Sequence, residues 1–136
     1  MNNVNDIAPY LGQLLSFRHD LHANPELRYE EHRTADKVAA FLQALGLPVH
    51  RGLGQTGVVA SIYGHGRSKD NPGRTIGIRA DMDALPVTEA TGAAHASCVP
   101  GKMHACGHDG HTTMLLGAAT LRSEERRVGK ECRSRW

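Results

Sequence analysis

Apolar residues recur at helical spacing in two early stretches of the chain. The first, Ile7 to His22, is soon followed by Pro25, a residue that ends helices. The second, Glu30 to Leu45, carries a single apolar stripe and is followed by Gly46, a residue favoured just after a helix end. The pattern therefore predicts two helices that each bury one face in a core. The positions on which this prediction depends are Ile7, Leu11, Leu14, Leu15 and Leu21 in the first helix and Ala35, Val38, Ala39, Leu42 and Leu45 in the second.

Beyond Gly57 the pattern changes to short β-branched runs. Val58 to Tyr63 and Thr75 to Ala80 are separated by a loop of Gly, Ser, Lys, Asp, Asn and Pro, which predicts two neighbouring strands. An irregular stretch follows to about Cys106, and Gly110 to Leu121 returns to helical spacing. Two helices, two strands, a loop and a helix in this order predict an α/β fold whose sheet is incomplete within the chain.

Charge is distributed unevenly along the chain. The 136 residues include 16 Lys and Arg and 14 Asp and Glu, a net charge of +2. The last 15 residues, Arg122 to Trp136, hold six of the basic and three of the acidic residues, so residues 1–121 carry a net charge of −1. The basic balance that would favour a nucleic-acid partner belongs to this end segment. We therefore expect no nucleic-acid partner.

The end segment, RSEERRVGKECRSRW, resembles over its whole length the translation of a sequencing-library adapter oligonucleotide. The alternative is a solvated basic helix end or arm, which most charged runs are. We predict that residues 122–136 are a non-native appendage, that residues 1–121 carry the evolved chemistry, and that the natural chain continues beyond Leu121.

Other features of the composition limit the location of the protein. The chain contains no apolar run of membrane-spanning length, and its first residues lack the basic start and apolar core of a signal peptide. Three cysteines without regular spacing do not form a disulfide framework. These observations predict a cytoplasmic protein without a membrane partner.

The densest group of metal-binding side chains is the run MHACGHDGH, from Met103 to His111. Cys106 and His108 are its best pair of ligands, because the backbone freedom of Gly107 between them lets a thiolate and an imidazole converge. A thiolate with an imidazole suits zinc, nickel or cobalt, and carboxylate ligands from elsewhere would favour manganese.

The remaining polar residues of this run have competing interpretations. Asp109 stands where a helix begins, so it either caps that helix or orients a metal ligand. His104 and His111 either orient ligands, contact substrate or are ordinary loop histidines.

A second polar group, RADMDALP, follows the predicted strand Thr75 to Ala80. Asp81 and Asp83 are two positions apart and would share a face at the rim of the sheet, where sites of α/β proteins collect. Aspartate is also common in turns after strands. Together with the later Cys and His residues, these acids predict a single metal centre.

Four runs resemble the opening of a family of amidohydrolases. This family includes hippurate hydrolase, N-acyl-amino-acid amidohydrolase and the auxin-conjugate hydrolases, a branch of the aminoacylase and carboxypeptidase-like metallopeptidases. The resemblance covers nearly all of residues 17–121. The runs are RHDLHANPELRYEE at 18–31, TGVVASI at 56–62, RADMDALPVTE at 79–89 and GKMHACGHDGHTTMLLGAA at 101–119.

The resemblance implies a two-domain metalloenzyme. Its catalytic α/β domain, a mixed sheet with flanking helices, would hold two divalent ions, and a smaller inserted domain would dimerise or cover the site. Residues 1–121 would be the amino-terminal part of the catalytic domain. Cys106 and His108 match family metal ligands, and Asp83 matches an acid that orients or polarises a metal-bound group. Asp81 stands where relatives outside this branch have a metal-ligating histidine.

The implied reaction is hydrolysis of the amide of a small-molecule N-acyl amino acid, with a glutamate as general base. The resemblance places that glutamate in a Glu-Glu pair after the helix that starts near Asp109, and this glutamate is missing from the chain. Glu124 and Glu125 lie in the adapter-like segment and have no family context around them. We therefore expect a fragment of an amidohydrolase that is inactive by itself and that forms a homo-oligomer at full length.

One alternative from another class is a small non-catalytic module. In it, His104, Cys106 and His108, with Asp109 beside them, would close a structural metal site. A further expectation follows from the incomplete sheet. The face of the last helix formed by Met114, Leu115 and Ala118 should be partly uncovered, which favours aggregation.

Overall fold

The structure is a computed structural model and describes residues 4–71 and 73–133. Residues 134–136, the end of the predicted appendage, lie outside the described residues. Helices and one small sheet make up the fold, so the predicted α/β arrangement is confirmed as a partial one. In chain order the elements are a 3-10 helix Val4–Tyr10, α1 Leu11–Ala23, α2 His32–Ala44, β1 Val49–Leu53, β2 Gly57–Ala60 and α3 His108–Arg133.

The first predicted helix is divided into two elements. Pro9 lies in the 3-10 helix, and because proline has no backbone N–H it cannot continue an α-helical ladder at that point. Helix α1 therefore starts at Leu11 and ends at Ala23, just before Pro25. Leu14 and Leu21 are buried, whereas Leu11 and Leu15 are exposed, so only part of the predicted apolar set faces the core.

The apolar stripe predicted for the second helix is confirmed in α2 for four of its five residues. Ala35, Val38, Ala39 and Leu42 are buried, whereas Leu45 is half-buried and follows the last residue of the helix, Ala44. Gly46 has a φ of +73° and its N–H donates to the Gln43 carbonyl at 2.8 Å, the backbone geometry expected of a glycine at a helix end.

The amino terminus of α2 is capped from a distance in sequence. The carboxylate of Glu26 accepts the backbone N–H of Arg33 at 3.0 Å and that of Thr34 at 2.7 Å, and it also accepts the Thr34 hydroxyl at 2.7 Å. These are amide groups of the first helical turn, which have no partner within the helix. Helix α2 consequently begins at His32, two residues later than predicted.

The sheet is an antiparallel hairpin of β1 and β2, and within the described residues it has no further strand. Strand β2 corresponds to the first part of the predicted strand Val58 to Tyr63. Strand β1 was not predicted, because its sequence VHRGL is too polar to stand out. The register shifts between Arg51 and Leu53, next to Gly52 and Gly54, which both have positive φ.

The predicted strand Thr75 to Ala80 is wrong. These residues pair with no strand in the part of the chain that the structure describes, and Ile76 is 88% exposed. A β-branched run becomes a strand only where a neighbouring strand completes its hydrogen bonds. The partner predicted for it, β2, is paired with β1 instead.

Helix α3 begins at His108, two residues before the predicted start, and continues past Leu121 to Arg133. The segment after Leu121 contains no proline, and its Arg and Glu residues favour helix, so nothing in the sequence stops the helix at Leu121. The boundary between native chain and appendage at that residue stays a prediction. None of the described helices has the length and apolarity needed to cross a membrane.

A small apolar core joins the three helices and the hairpin. Beside it an apolar groove of about 900 Å³ opens between α3 and residues 76–82. Met114 is 65% exposed, Leu115 half-buried and Ala118 exposed, so the predicted uncovered face of the last helix is present. The buried core residues are Leu14, Val38, Leu42, Leu47 and Leu116.

Candidate metal centre

The two predicted polar groups meet at the start of α3. The Nδ1 atom of His108 lies 2.9 Å from Oδ1 of Asp83 and also 2.9 Å from the Asp83 backbone carbonyl. Both acceptors are oxygen atoms, so the contact assigns the imidazole proton to Nδ1 and leaves the Nε2 lone pair available. A carboxylate that orients a histidine in this way is the usual outer partner of a metal-ligating imidazole.

Backbone contacts bring these distant segments together. Leu85 and Met103 form an antiparallel bridge, with N–H to carbonyl distances of 2.9 and 3.0 Å. The Thr112 hydroxyl donates to the backbone carbonyl of Asp81 at 3.0 Å. These contacts place residues 81–85 next to the Cys and His run.

Cys106 lies on the other side of Gly107 from His108. Its thiol is free and the residue is exposed. Gly107 has a φ of +84°, which a residue with a side chain rarely adopts. The glycine thus makes the sharp turn between the two candidate ligands possible.

Asp109 is bound to helix α1. It is 1% exposed, and its Oδ2 accepts from Nδ1 of His22 at 2.8 Å and from Nε of Arg18 at 3.3 Å. Burial raises the pKa of the Asp109 carboxyl, but hydrogen bonds from His22 and the Gly110 N–H, with nearby positive charge, outweigh it and lower that pKa below its usual value. Asp109 is therefore an ionised anchor between α1 and α3.

His104 is buried without a hydrogen-bond partner. The residue is 4% exposed, neither ring nitrogen has a protein partner, and the second oxygen of Asp109, Oδ1, is also unpartnered. Burial is the main reason that the pKa of His104 is lowered, and the neighbouring His22 and His108 act in the same direction. Buried polar atoms normally have partners, so these atoms mark a place where a further group would be accommodated.

Two residues without a predicted role, His22 and Glu89, are linked to Asp109 by hydrogen-bonding contacts. The Nε2 atom of His22 lies 3.2 Å from Oε1 of Glu89. Glu89 also accepts the Thr91 hydroxyl and, at 2.6 Å, the Ser97 backbone N–H, and these hydrogen bonds lower its pKa to about 2. No local motif indicates these contacts, because they join residues 67 and 87 positions apart.

A stacked pair of histidines lies beside His22. The rings of His19 and His95 are parallel with centroids 3.9 Å apart, and the His95 ring meets that of His22 edge-on at 5.2 Å. This pair packs the loop that contains Glu89 against α1. Among the described residues, no recorded ring contact joins this pair to Cys106 or His108.

Two predicted candidates do not join the centre. The Asp81 carboxylate pairs with Arg79 near the surface, and the residue contributes only its backbone carbonyl to Thr112. His111 is exposed, with its ring centroid 5.6 Å from that of His108. Their predicted roles toward ligands or substrate stay untested.

The donor set fits part of a metal site. His108 offers an oriented nitrogen and Cys106 an exposed thiol. Within residues 4–71 and 73–133, however, no three His, Cys, Asp or Glu side chains are arranged to hold one ion. The closed structural site of the alternative module is therefore not formed by the described residues.

The chain is similar to a known peptidase family and to several hydrolases. Residues 77–133 match the model of peptidase family M20/M25/M40. The hippurate hydrolase of Campylobacter jejuni is 45% identical over 119 residues, covering 88% of this chain and 30% of that protein. The N-acyl-L-amino acid amidohydrolase of Geobacillus stearothermophilus is 47% identical over 114 residues, covering 83% of this chain and 29% of that protein.

A solved structure gives the same result. The YXEP protein of Bacillus subtilis, described as a dinuclear metal-binding peptidase of the M20 family, superposes with a TM-score of 0.79 at 38% identity. The match covers 88% of this chain and 32% of that one. The chain thus spans about 30% of the length of the curated relatives that it matches.

Proposed function

We propose that this chain forms part of a metal-dependent amidohydrolase, since its residues 77–133 match the model of peptidase family M20/M25/M40. The proposed substrates are small N-acyl amino acids such as hippurate, which the enzyme would cleave to a carboxylate and an amino acid. The proposed cofactor is a pair of divalent ions, and the proposed full-length assembly is a cytoplasmic homo-oligomer. Relatives named for hippurate and for N-acyl-L-amino acids support the substrate class.

One observation carries the proposal: the hydrogen bond between Nδ1 of His108 and the Asp83 carboxylate, at 2.9 Å. An imidazole held in this tautomer presents its other nitrogen as a fixed ligand. The exposed Cys106 thiol, two positions before His108, supplies a second donor of the kind that binds transition metals.

Each residue has a defined part in this proposal. Cys106 and His108 hold a metal, and Asp83 fixes the ring of His108. Divalent metal in such sites polarises a carbonyl and acidifies water. The Asp83 carboxylate favours the tautomer of His108 that carries its proton on Nδ1.

Binding of Co²⁺ to the 136-residue chain tests the proposed ligands. Thiolate ligation produces a charge-transfer absorption, so we expect a band that is lost in Cys106→Ser. Cys98 is also free and exposed, which makes Cys98→Ser a matched control that should keep the band. His108→Gln should weaken binding, and Asp83→Asn should weaken it by about 10–100-fold. A band that survives in Cys106→Ser and disappears in Cys98→Ser would contradict the proposal.

Hydrolysis assays address the activity of this chain. In this proposal the chain contributes two of the metal ligands and lacks the general-base glutamate, so we expect no release of glycine from hippurate by the purified chain, with or without added metal. Hydrolysis of hippurate that a chelator abolishes would show that the predicted inactivity of the chain is wrong. Metal binding without hydrolysis is the expected combination.

A further inference from the structure

His22 lies between two carboxylates that belong to different parts of the chain. Its Nδ1 is 2.8 Å from Oδ2 of Asp109, and its Nε2 is 3.2 Å from Oε1 of Glu89. All three side chains are nearly inaccessible to solvent. Both ring nitrogens therefore lie within hydrogen-bonding distance of a carboxylate oxygen, and the contact to Asp109 is the shorter one.

The residue that His22 contacts, Asp109, is the sequence neighbour of the proposed metal ligand His108. Asp109 follows His108 directly in the first turn of α3. A first-turn residue that is fixed through its side chain also fixes the backbone of its neighbour. His22 therefore restrains the backbone from which the imidazole of His108 extends toward Asp83.

A second donor to Asp109, Arg18, is less able to do this. Its contact is longer, at 3.3 Å, and its side chain is 42% exposed, so water competes for the carboxylate. The Asp109 carboxylate is fully covered and its best-formed side-chain partner is His22.

We propose that His22 is a positioning residue that orients the metal ligand His108 through Asp109. The inference rests on the proposed function, because it takes His108 to be a ligand. Glu89 has the supporting part: fixed by the Ser97 N–H at 2.6 Å, it holds the outer edge of the His22 ring. Helix α1 thereby controls a ligand that lies 86 positions further along the chain.

Two amide variants separate positioning from general support of the fold. The amide nitrogen of asparagine takes the place of histidine Nδ1, so His22→Asn keeps the contact to Asp109 and loses the one to Glu89. The longer side chain in His22→Gln places its amide at Nε2, keeping Glu89 and losing Asp109. Each variant loses one contact, and a purely structural role would affect both alike.

The first readout needs no metal. In ¹⁵N spectra of the histidine rings, recorded where the His108 ring is neutral, we expect the proton of His108 on Nδ1 in the wild type and in His22→Asn. In His22→Gln we expect a mixture of the two tautomers. Ser16→Ala, at an exposed position of the same helix, is the control and should match the wild type. If folded His22→Gln keeps the wild-type ring signals, the positioning role is wrong.

The second readout is Co²⁺ affinity, which we expect to fall about tenfold or more in His22→Gln and to stay near the wild-type value in His22→Asn. Equal affinity in the two variants would overturn the inference. A wild-type chain that binds no Co²⁺ through Cys106 would instead contradict the ligand assignment within the proposed function, and the ring signals would still decide the role of His22. If His22→Gln does not fold, Asp109→Asn weakens the same contact from the other side and should give the same mixture of His108 tautomers.

Discussion

Helix α2 depends on a carboxylate that lies outside it, which leads to a quantitative prediction. Glu26 accepts two backbone N–H groups and one hydroxyl at the start of the helix, at 3.0, 2.7 and 2.7 Å. Loss of a helix cap costs about 0.5–2 kcal/mol, and leaving a buried donor without a partner costs about 1–3 kcal/mol. We therefore expect Glu26→Ala to lower the free energy of unfolding by about 2–4 kcal/mol.

Urea unfolding of the chain followed by circular dichroism measures this loss, at a concentration where refolding is reversible. Glu30→Ala is the matched control, because Glu30 is an exposed residue of the same loop whose carboxylate pairs with Lys102 at 3.1 Å. Removing such a surface pair should cost less than about 1 kcal/mol. Glu26→Gln retains one acceptor oxygen and should fall between the two. Equal losses in Glu26→Ala and Glu30→Ala would refute the assignment of Glu26 as the cap of α2.

Three further outcomes test other parts of the structure. In Gly57→Ala the new Cβ would lie 2.3 Å from the Leu53 carbonyl oxygen, so unfolding measurements should show a loss of more than about 2 kcal/mol, whereas Gly64→Ala, with open space, should change stability by less than about 1 kcal/mol. The pKa of Glu89 is about 2 instead of the usual 4.5, so the stabilisation from its ionised form is complete above pH 4.5 and is lost as the pH falls toward 2. Between pH 4.5 and pH 2 the wild type should therefore lose stability more steeply than Glu89→Gln. Parallel profiles of stability against pH would contradict this expectation. On the uncovered face of α3, Met114→Glu should raise the concentration at which light scattering begins, and an unchanged onset would show that this face does not drive aggregation.

Periodicity in the sequence was sufficient where an element forms its contacts through one face. In α2 every residue of the stripe from Ala35 to Leu42 is buried as predicted, because four apolar positions at helical spacing leave one solution. The run Thr75 to Ala80 has equally clear β-branched character. A run becomes a strand only when it pairs with another strand, however, and the expected partner of this run, β2, pairs with Val49–Leu53 instead.

The candidate site shows the same division. The motifs identified Asp83, Cys106 and His108 because their side-chain chemistry is distinctive, and two of the three are in direct contact. His22 and Glu26 lie within one of the recognised runs, but their roles depend on partners 87 and eight positions away. No local pattern specifies such pairings. Asp81 has the same side chain as Asp83 and similar spacing, and only the fold shows that its carboxylate turns toward Arg79.

Helix α1 links the core to the candidate centre through two adjacent residues. Leu21 is fully buried, and His22, next to it, holds Asp109. A change in core packing that rotates α1 would therefore move His22 relative to Asp109 as well. Leu21→Ala, expected to cost about 2–5 kcal/mol of stability, should on this reasoning also disturb the His108 ring signals in molecules that remain folded. The metal ligand would then be sensitive to substitutions with which it has no contact, because the helix that orients it also forms part of the core.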